Sequence, residues 1–147
     1  MDLYYEINYS GPNTSAGGDA TEIAFCTIID GSVVSLLSTG IGFNNYGVIM
    51  AAFDTETSRH IIRERFGYAG GGEGSAEVFY SLDNGVLTLL TDIRNEHFGS
   101  IKYIVNEREV TQSTYTEAIN AAARRFVRPT DRYYELGQWG DIRVFIW

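Results

Sequence analysis

Glycine-bearing turns cut this chain into short β-branched and aromatic runs, and that punctuation limits the fold more than any other feature. Residues 22–29 and 32–37 flank Asp30-Gly31. An Asp-Gly pair supplies the positive φ angles with which a two-residue turn matches the twist of its strands. The pattern returns where residues 77–82 and 86–91 flank Asp83-Asn84-Gly85. Residues 3–9 read as an opening strand, followed by a loop through Ser10-Gly11-Pro12-Asn13 and Gly17-Gly18-Asp19. Residues 47–53 and 58–66 form another antiparallel pair across Asp54-Thr55-Glu56-Thr57, and residues 100–105 open a third hairpin turning near Asn106. Consecutive antiparallel strands usually neighbour each other, so a meander is expected.

The two Asp-containing hairpins resemble each other. With a gap of about two residues, Glu22, Phe25, Thr27, Asp30, Gly31, Val33, Leu36 and Leu37 align with Glu77, Tyr80, Ser81, Asp83, Gly85, Val86, Leu89 and Leu90.

One segment has helical rather than strand periodicity. Tyr115, Ala118, Ile119, Ala122 and Phe126 recur at three-to-four spacing behind Thr111, a residue suited to capping. Arg124 and Arg125 complement the dipole at its end, and Pro129 stops continuation. The tail Arg143-Val144-Phe145-Ile146-Trp147 reads as a strand that needs a covering neighbour. The expected fold is therefore α+β, mostly β. A curved antiparallel meander sheet carries one helix, about residues 112–126, packed on it, and a final short strand completes it.

The 147 residues suit a single globular domain over 1–147. No apolar run approaches the roughly 18 residues that span a bilayer, and Met1-Asp2-Leu3 lacks the basic and apolar start of a signal peptide. A lone cysteine, Cys26, excludes an internal disulfide and a cysteine-rich zinc site within one subunit. Its apolar surroundings, Ile23 to Ile29, point to a buried small hydrophobe.

Charge is distributed unevenly. Asp2, Glu6, Asp19, Glu22, Asp30, Asp54 and Glu56 precede the first positive side chain, Arg59, and the net charge is −8. Nucleic acid is not expected as a partner, since phosphate binding needs a basic face. A basic protein surface is the easier partner, with Asp54 and Glu56 as candidate contacts; solubility alone also accounts for the acids.

Candidate chemistry is sparse. His60 and His97 fall in different segments, which leaves paired metal ligation and a Ser-His-Asp arrangement without support. His97, in the polar stretch Asn95-Glu96-His97-Phe98-Gly99, reads as a loop residue and the better acid-base candidate. Paired carboxylates could hydrolyse glycosides, but the sequence does not single out a pair. The run Gly70-Gly71-Gly72-Glu73-Gly74 lacks the Lys-Ser/Thr ending of a phosphate loop and reads as a flexible connection. No metal or cofactor is expected. Tyr133, Tyr134 and Trp139 crowd the tail beside Arg132, a combination of rings and planar polar groups typical of protein-contact or saccharide platforms. Core packing explains Trp147 equally well.

Asp2-Leu3-Tyr4, Asp30-Gly31, Asp83-Asn84-Gly85, and Ile104-Val105-Asn106-Glu107-Arg108-Glu109-Val110-Thr111 followed by Tyr115 form a recognisable succession. It resembles bacterial secreted or lipoprotein β-meander modules of mostly uncharacterised function, across roughly residues 1 to 126. Many such modules place an Asp-x-Asp-x-Asp-Gly calcium loop before the first strand. This chain holds at most the trailing Asp2, so no calcium site carries over, and excision from a longer chain is the expectation.

The resemblance and the lack of catalytic spacing imply a noncatalytic, extracytoplasmic binding or accessory domain for a protein or saccharide ligand. The alternative is a small acidic intracellular, cytoplasmic inhibitor or immunity-type protein that binds a basic partner. A hydrolase using carboxylates or His97 is the third reading.

Overall fold

The computed structural model describes the backbone of residues 3–13, 18–41, 45–69, 73–128, 135–139 and 142–146, and the side chains of residues 25–37, 47, 49–67 and 73–128. The fold is mostly antiparallel β with one helix packed on a sheet. The strands divide between two sheets. The first contains β1 (Leu3–Asn13), β2 (Gly18–Ile29) and β3 (Ser32–Ile41), together with β11 (Glu135–Trp139) and β12 (Ile142–Ile146), in the order β11-β12-β1-β2-β3. The second contains β4 (Asn45–Asp54), β5 (Arg59–Ala69), β6 (Glu73–Asp83), β7 (Val86–Phe98), β8 (Ser100–Val105) and β9 (Arg108–Val110). Here β4 to β9 follow one another as the expected meander, and β10 (Phe126–Val127) adds itself beside β4. The apolar tail strand β12 finds its cover between β11 and β1, with Ile146 opposite Leu3.

Strand alternation makes the second sheet a central layer. Consecutive residues of a strand point to opposite faces, and neighbours Ile61 and Ile62 are both only 1% exposed. Ile61 joins Ala52, Phe79, Ile93, Ala122 and Phe126 in a core beneath the helix α1 (Gln112–Arg125). Ile62 joins Ile49, Leu82 and the first sheet's Phe25, with Leu36 and Leu37 packed against them. A sheet covered on both faces needs such unbroken apolar runs.

The helix begins where expected. Thr111 accepts a hydrogen bond from the Thr114 amide at 3.2 Å, satisfying one of the unpaired N–H groups of the first turn. It ends at Arg125, and Phe126 leaves it as the start of β10 with its ring stacked 4.3 Å from that of Phe79.

The two similar hairpins match more closely than the sequence alignment suggests, and without its gap. Asp30 and Gly31 have φ of 50° and 76°, and Asn84 and Gly85 have 50° and 75°. Asp30 therefore corresponds to Asn84, not Asp83. Positive φ at both central residues is the mirror-image turn that suits right-twisted strands. Both hairpins also carry a bulge at the same place. Phe25 pairs with Leu37 and Cys26 with Ser35, leaving Leu36 as the extra residue; Phe79 pairs with Thr91 and Tyr80 with Leu89, leaving Leu90. The same spacing relates Phe25 to Phe79, Gly31 to Gly85 and Leu36 to Leu90.

The β8–β9 turn uses Asn106 and Glu107 at φ of 49° and 66°. The Asn106 side chain accepts from the Asp92 amide at 2.9 Å, and its own amide donates to the Asp92 carbonyl at 2.8 Å. This ties the turn to β7 just past the bulge.

Candidate binding surface

The tips of the two bulged hairpins meet. A Cβ placed on Gly85 would stand 3.9 Å from Ile29 Cδ1, an ordinary van der Waals contact. Six of the ten exposed large hydrophobic residues among the described residues lie near these two turns: Ile28, Ile29, Val33 and Val34 on one hairpin, Val86 and Leu89 on the other. Of these six, Val33 and Val86 are the most open, at 63% and 61%. Single exposed apolar side chains are ordinary, but a cluster marks a contact surface. Asp30 lies exposed at the tip and makes no ion pair among the described residues. On the other hairpin, Asp83 is held by Arg59.

The acids Asp54 and Glu56 come together around an arginine rather than around open solvent. Asp54, 1% exposed, closes β4, and Arg125 reaches it from the last turn of α1. Arg125 donates from Nε to Oδ1 at 2.9 Å and from Nη2 to Oδ2 at 2.8 Å, a two-point fork, and its Nη1 lies 2.9 Å from Glu56 Oε2. Thr57 and the Glu56 amide also donate to Asp54, while the Thr55 amide donates to the Arg125 carbonyl at 2.9 Å. The Arg125 hydrogen bonds hold the Asp54 carboxyl down at about 2, against the opposing effect of burial. This cluster fastens the helix end to the β4–β5 turn.

A second polar cluster lies within the second sheet. Glu64, Val78 and Asp92 stand side by side on β5, β6 and β7. Glu64 lies two residues beyond Ile62 and so shares its inter-sheet face. Tyr80 donates to Glu64 Oε2 at 3.3 Å. Asp92, 2% exposed, is gripped by Arg94 through Nε at 3.1 Å and through Nη2. Burial pushes the Glu64 carboxyl above the ordinary carboxylate range; the Tyr80 hydrogen bond opposes that shift and the Asp92 charge adds to it. Burial, reinforced by the charge of Glu64, also lifts the Tyr80 phenol to about 12. The two carboxylates are close, but both are buried and already engaged.

The remaining expected site residues are dispersed. His97 lies inside β7 opposite Glu73 and Ile101, and not in a loop, because β8 continues the ladder to Ser100. His60 lies on β5 with its ring edge-to-face with Phe53 at 5.6 Å. Cys26 is buried on β2. Trp139 ends β11 opposite Ile142, and its side chain lies outside the described residues, as do Arg132, Tyr133 and Tyr134 altogether. So do the side chains of Asp2, Glu6, Asp19 and Glu22, and residues 70–72 of the glycine run. No group of three His, Cys, Asp or Glu among the described residues could hold a metal ion. Among the described residues no helix is long and apolar enough to cross a membrane.

Sequence reasoning passed over the hairpin tips. Their signal was present in the doublets Ile28-Ile29 and Val33-Val34, which flank a turn directly, where polar residues are usual. Comparison with family models, curated proteins and solved structures gives no match.

Proposed function

We propose that this chain is a noncatalytic, extracytoplasmic binding domain whose contact surface is the pair of hairpin tips and whose ligand is a protein. The observation that carries the reading is the clustering of exposed Ile28, Ile29, Val33, Val34, Val86 and Leu89 at two abutting turns. The folded chain leaves this apolar surface in water, and contact with a partner removes it at roughly 25 cal/mol per Å². A photo-crosslinking residue at position 33 or 86, introduced in producing cells, should give a discrete adduct with another protein. The same residue at 119, an exposed apolar position on the helix, should not. Absence of adducts at 33 and 86, or equal labelling at 119, would overturn the proposal.

Asp30, exposed and without an ion pair among the described residues, favours a second reading, that of an acidic inhibitor directed at a basic protein. Its charge lies beside the apolar cluster, whereas Asp54 and Glu56 already face Arg125. Under this reading Asp30→Lys weakens the captured complex and lessens its salt dependence. An unchanged salt response would count against it.

A further inference from the structure

Among the described residues each sheet ends in two edge strands, and the longest of the four is β3. The outer strand β9 has three residues, two of them charged, Arg108 and Glu109; β10 has two residues. The strand β11 has five residues, with an irregular register between Glu135 and Gly137. The edge strand β3 has ten, Ser32-Val33-Val34-Ser35-Leu36-Leu37-Ser38-Thr39-Gly40-Ile41, without a charge or a proline. Proteins blunt exposed edges with short strands, charges, prolines or bulges, because unpaired N–H and C=O groups invite another strand. The β3 bulge at Leu36 lies beyond Ser32, Val33, Val34 and Ser35, all four of them exposed. Those four residues pair in regular register with β2 alone.

We infer that β3 is a strand-addition edge that accepts an extended, basic segment of a partner protein. This inference rests on the binding-domain reading and specifies how the partner is held. Backbone hydrogen bonds along residues 32–35 supply general affinity, and Val33 and Val34, which point to opposite faces, receive apolar side chains from the added strand. Charge selects the occupant. The chain carries a net charge of −8, and Asp30, which makes no ion pair among the described residues, stands two residues before the edge begins. A Lys- or Arg-flanked strand is attracted to so acidic a chain, while a second copy of an equally acidic chain is repelled.

The full chain should be titrated with a synthetic peptide alternating valine and threonine between lysines, with its glutamate-for-lysine counterpart, and with a form N-methylated along one edge. The lysine peptide should slow amide exchange at residues 32–35 by at least about tenfold, and the other two should not. Val33→Lys, at a largely exposed position, should weaken the lysine peptide by about tenfold, whereas Val33→Thr should leave it unchanged. Binding without protection of residues 32–35, or equal binding of the glutamate peptide, overturns the inference. So does protection of those amides in a dimer formed without peptide. If crosslinks at 33 and 86 still trap a partner while the lysine peptide fails, strand addition is wrong and the binding reading stands. Loss of the crosslinks removes the binding reading itself.

Discussion

In the β6–β7 hairpin the strand after the turn has β8 beside its far half, Ile93–Phe98, and the helix over one face. In the β2–β3 hairpin, the strand after an equivalent turn and an equivalent bulge ends its sheet. The packing partners differ accordingly. Phe79 and Leu90 join the core beneath the helix, where the Phe79 ring stacks on Phe126, whereas Phe25 and Leu36 rest on the back of the second sheet. Charge follows the same division: β7 carries Asp92, Arg94 and Glu96, and β3 carries none. One local architecture thus occurs in two settings. Pairing of Ile93–Phe98 with β8 commits the far half of the second hairpin to the core, whereas the first has an open edge along its whole length and both tips stay available for contact.

The sharpest way to break this comparison is to empty the equivalent aromatic sites. Phe79→Ala removes a ring that is 2% exposed and stacked on another, and should cost about 3–5 kcal/mol in urea unfolding. Phe25→Ala should cost less, because its neighbourhood lies beside the exposed tip and can relax. Equal losses would mean that the two hairpins bear the same structural weight, and the division between core and contact would fail.

The helix covering the second hairpin is fastened at its end by Arg125, so the next test removes that fastening. Arg125→Ala leaves the buried Asp54 without its counter-charge and should cost about 3 kcal/mol at neutral pH. The folded carboxyl titrates at about 2 against an ordinary 3.8. Its stabilisation is therefore fully present above about pH 4 and is lost as the pH falls through 2. Wild type should lose this increment on acidification, and Arg125→Ala should have little of it left to lose. Parallel acid curves for the two proteins would contradict the assignment.

The contrast also shows why parts of the molecule were legible in the sequence and others were not. Asp30-Gly31 and Asn84-Gly85 reveal their turns because few other pairs hold positive φ at both positions. Thr111 reveals the helix start for a similarly local reason. The division into two sheets is not local: it depends on β12 pairing with β1 at the other end of the chain. Asp54 could be read as an acid, but its partner lies 71 residues away, and that separation turned an apparent surface charge into a buried clamp. His97 resembled a loop residue because its neighbours are polar, until β8 proved to pair beside it. The apolar tip residues resembled core because hydrophobicity records what a strand can bury, not where its neighbours stop.

Substituting the two turn glycines tests whether the hairpins are locally equivalent. Gly31→Ala and Gly85→Ala each place a side chain in left-handed backbone and should cost about 1 kcal/mol. Position 31 has open space, and at 85 the added methyl meets Ile29 at an ordinary distance, so neither substitution adds a clash. Equal costs in urea unfolding sharpen the comparison; a large difference would place the turns in different conformations.

The smallest effect concerns the buried carboxyl of the second sheet, and its sign separates a structural group from a catalytic one. Burial raises the Glu64 carboxyl pKa above its ordinary 4.5, so the folded chain holds the proton over a pH range in which the unfolded chain has released it. Stability therefore falls as pH rises from 4.5 through the folded value, and the whole penalty remains at neutral pH. Glu64→Gln keeps the shape and the acceptor for Tyr80 but removes the charge. It should gain on the order of 1 kcal/mol at neutral pH and nothing near pH 4. Partner capture at the hairpin tips should be unchanged, because Glu64 is buried between the sheets while Val33 and Val86 are open. A gain in stability joined to loss of a turnover activity would be the signature of a functional acid, since active sites retain strained charges at the expense of stability. That result would move the working part of the molecule from the hairpin tips to the buried face between the sheets.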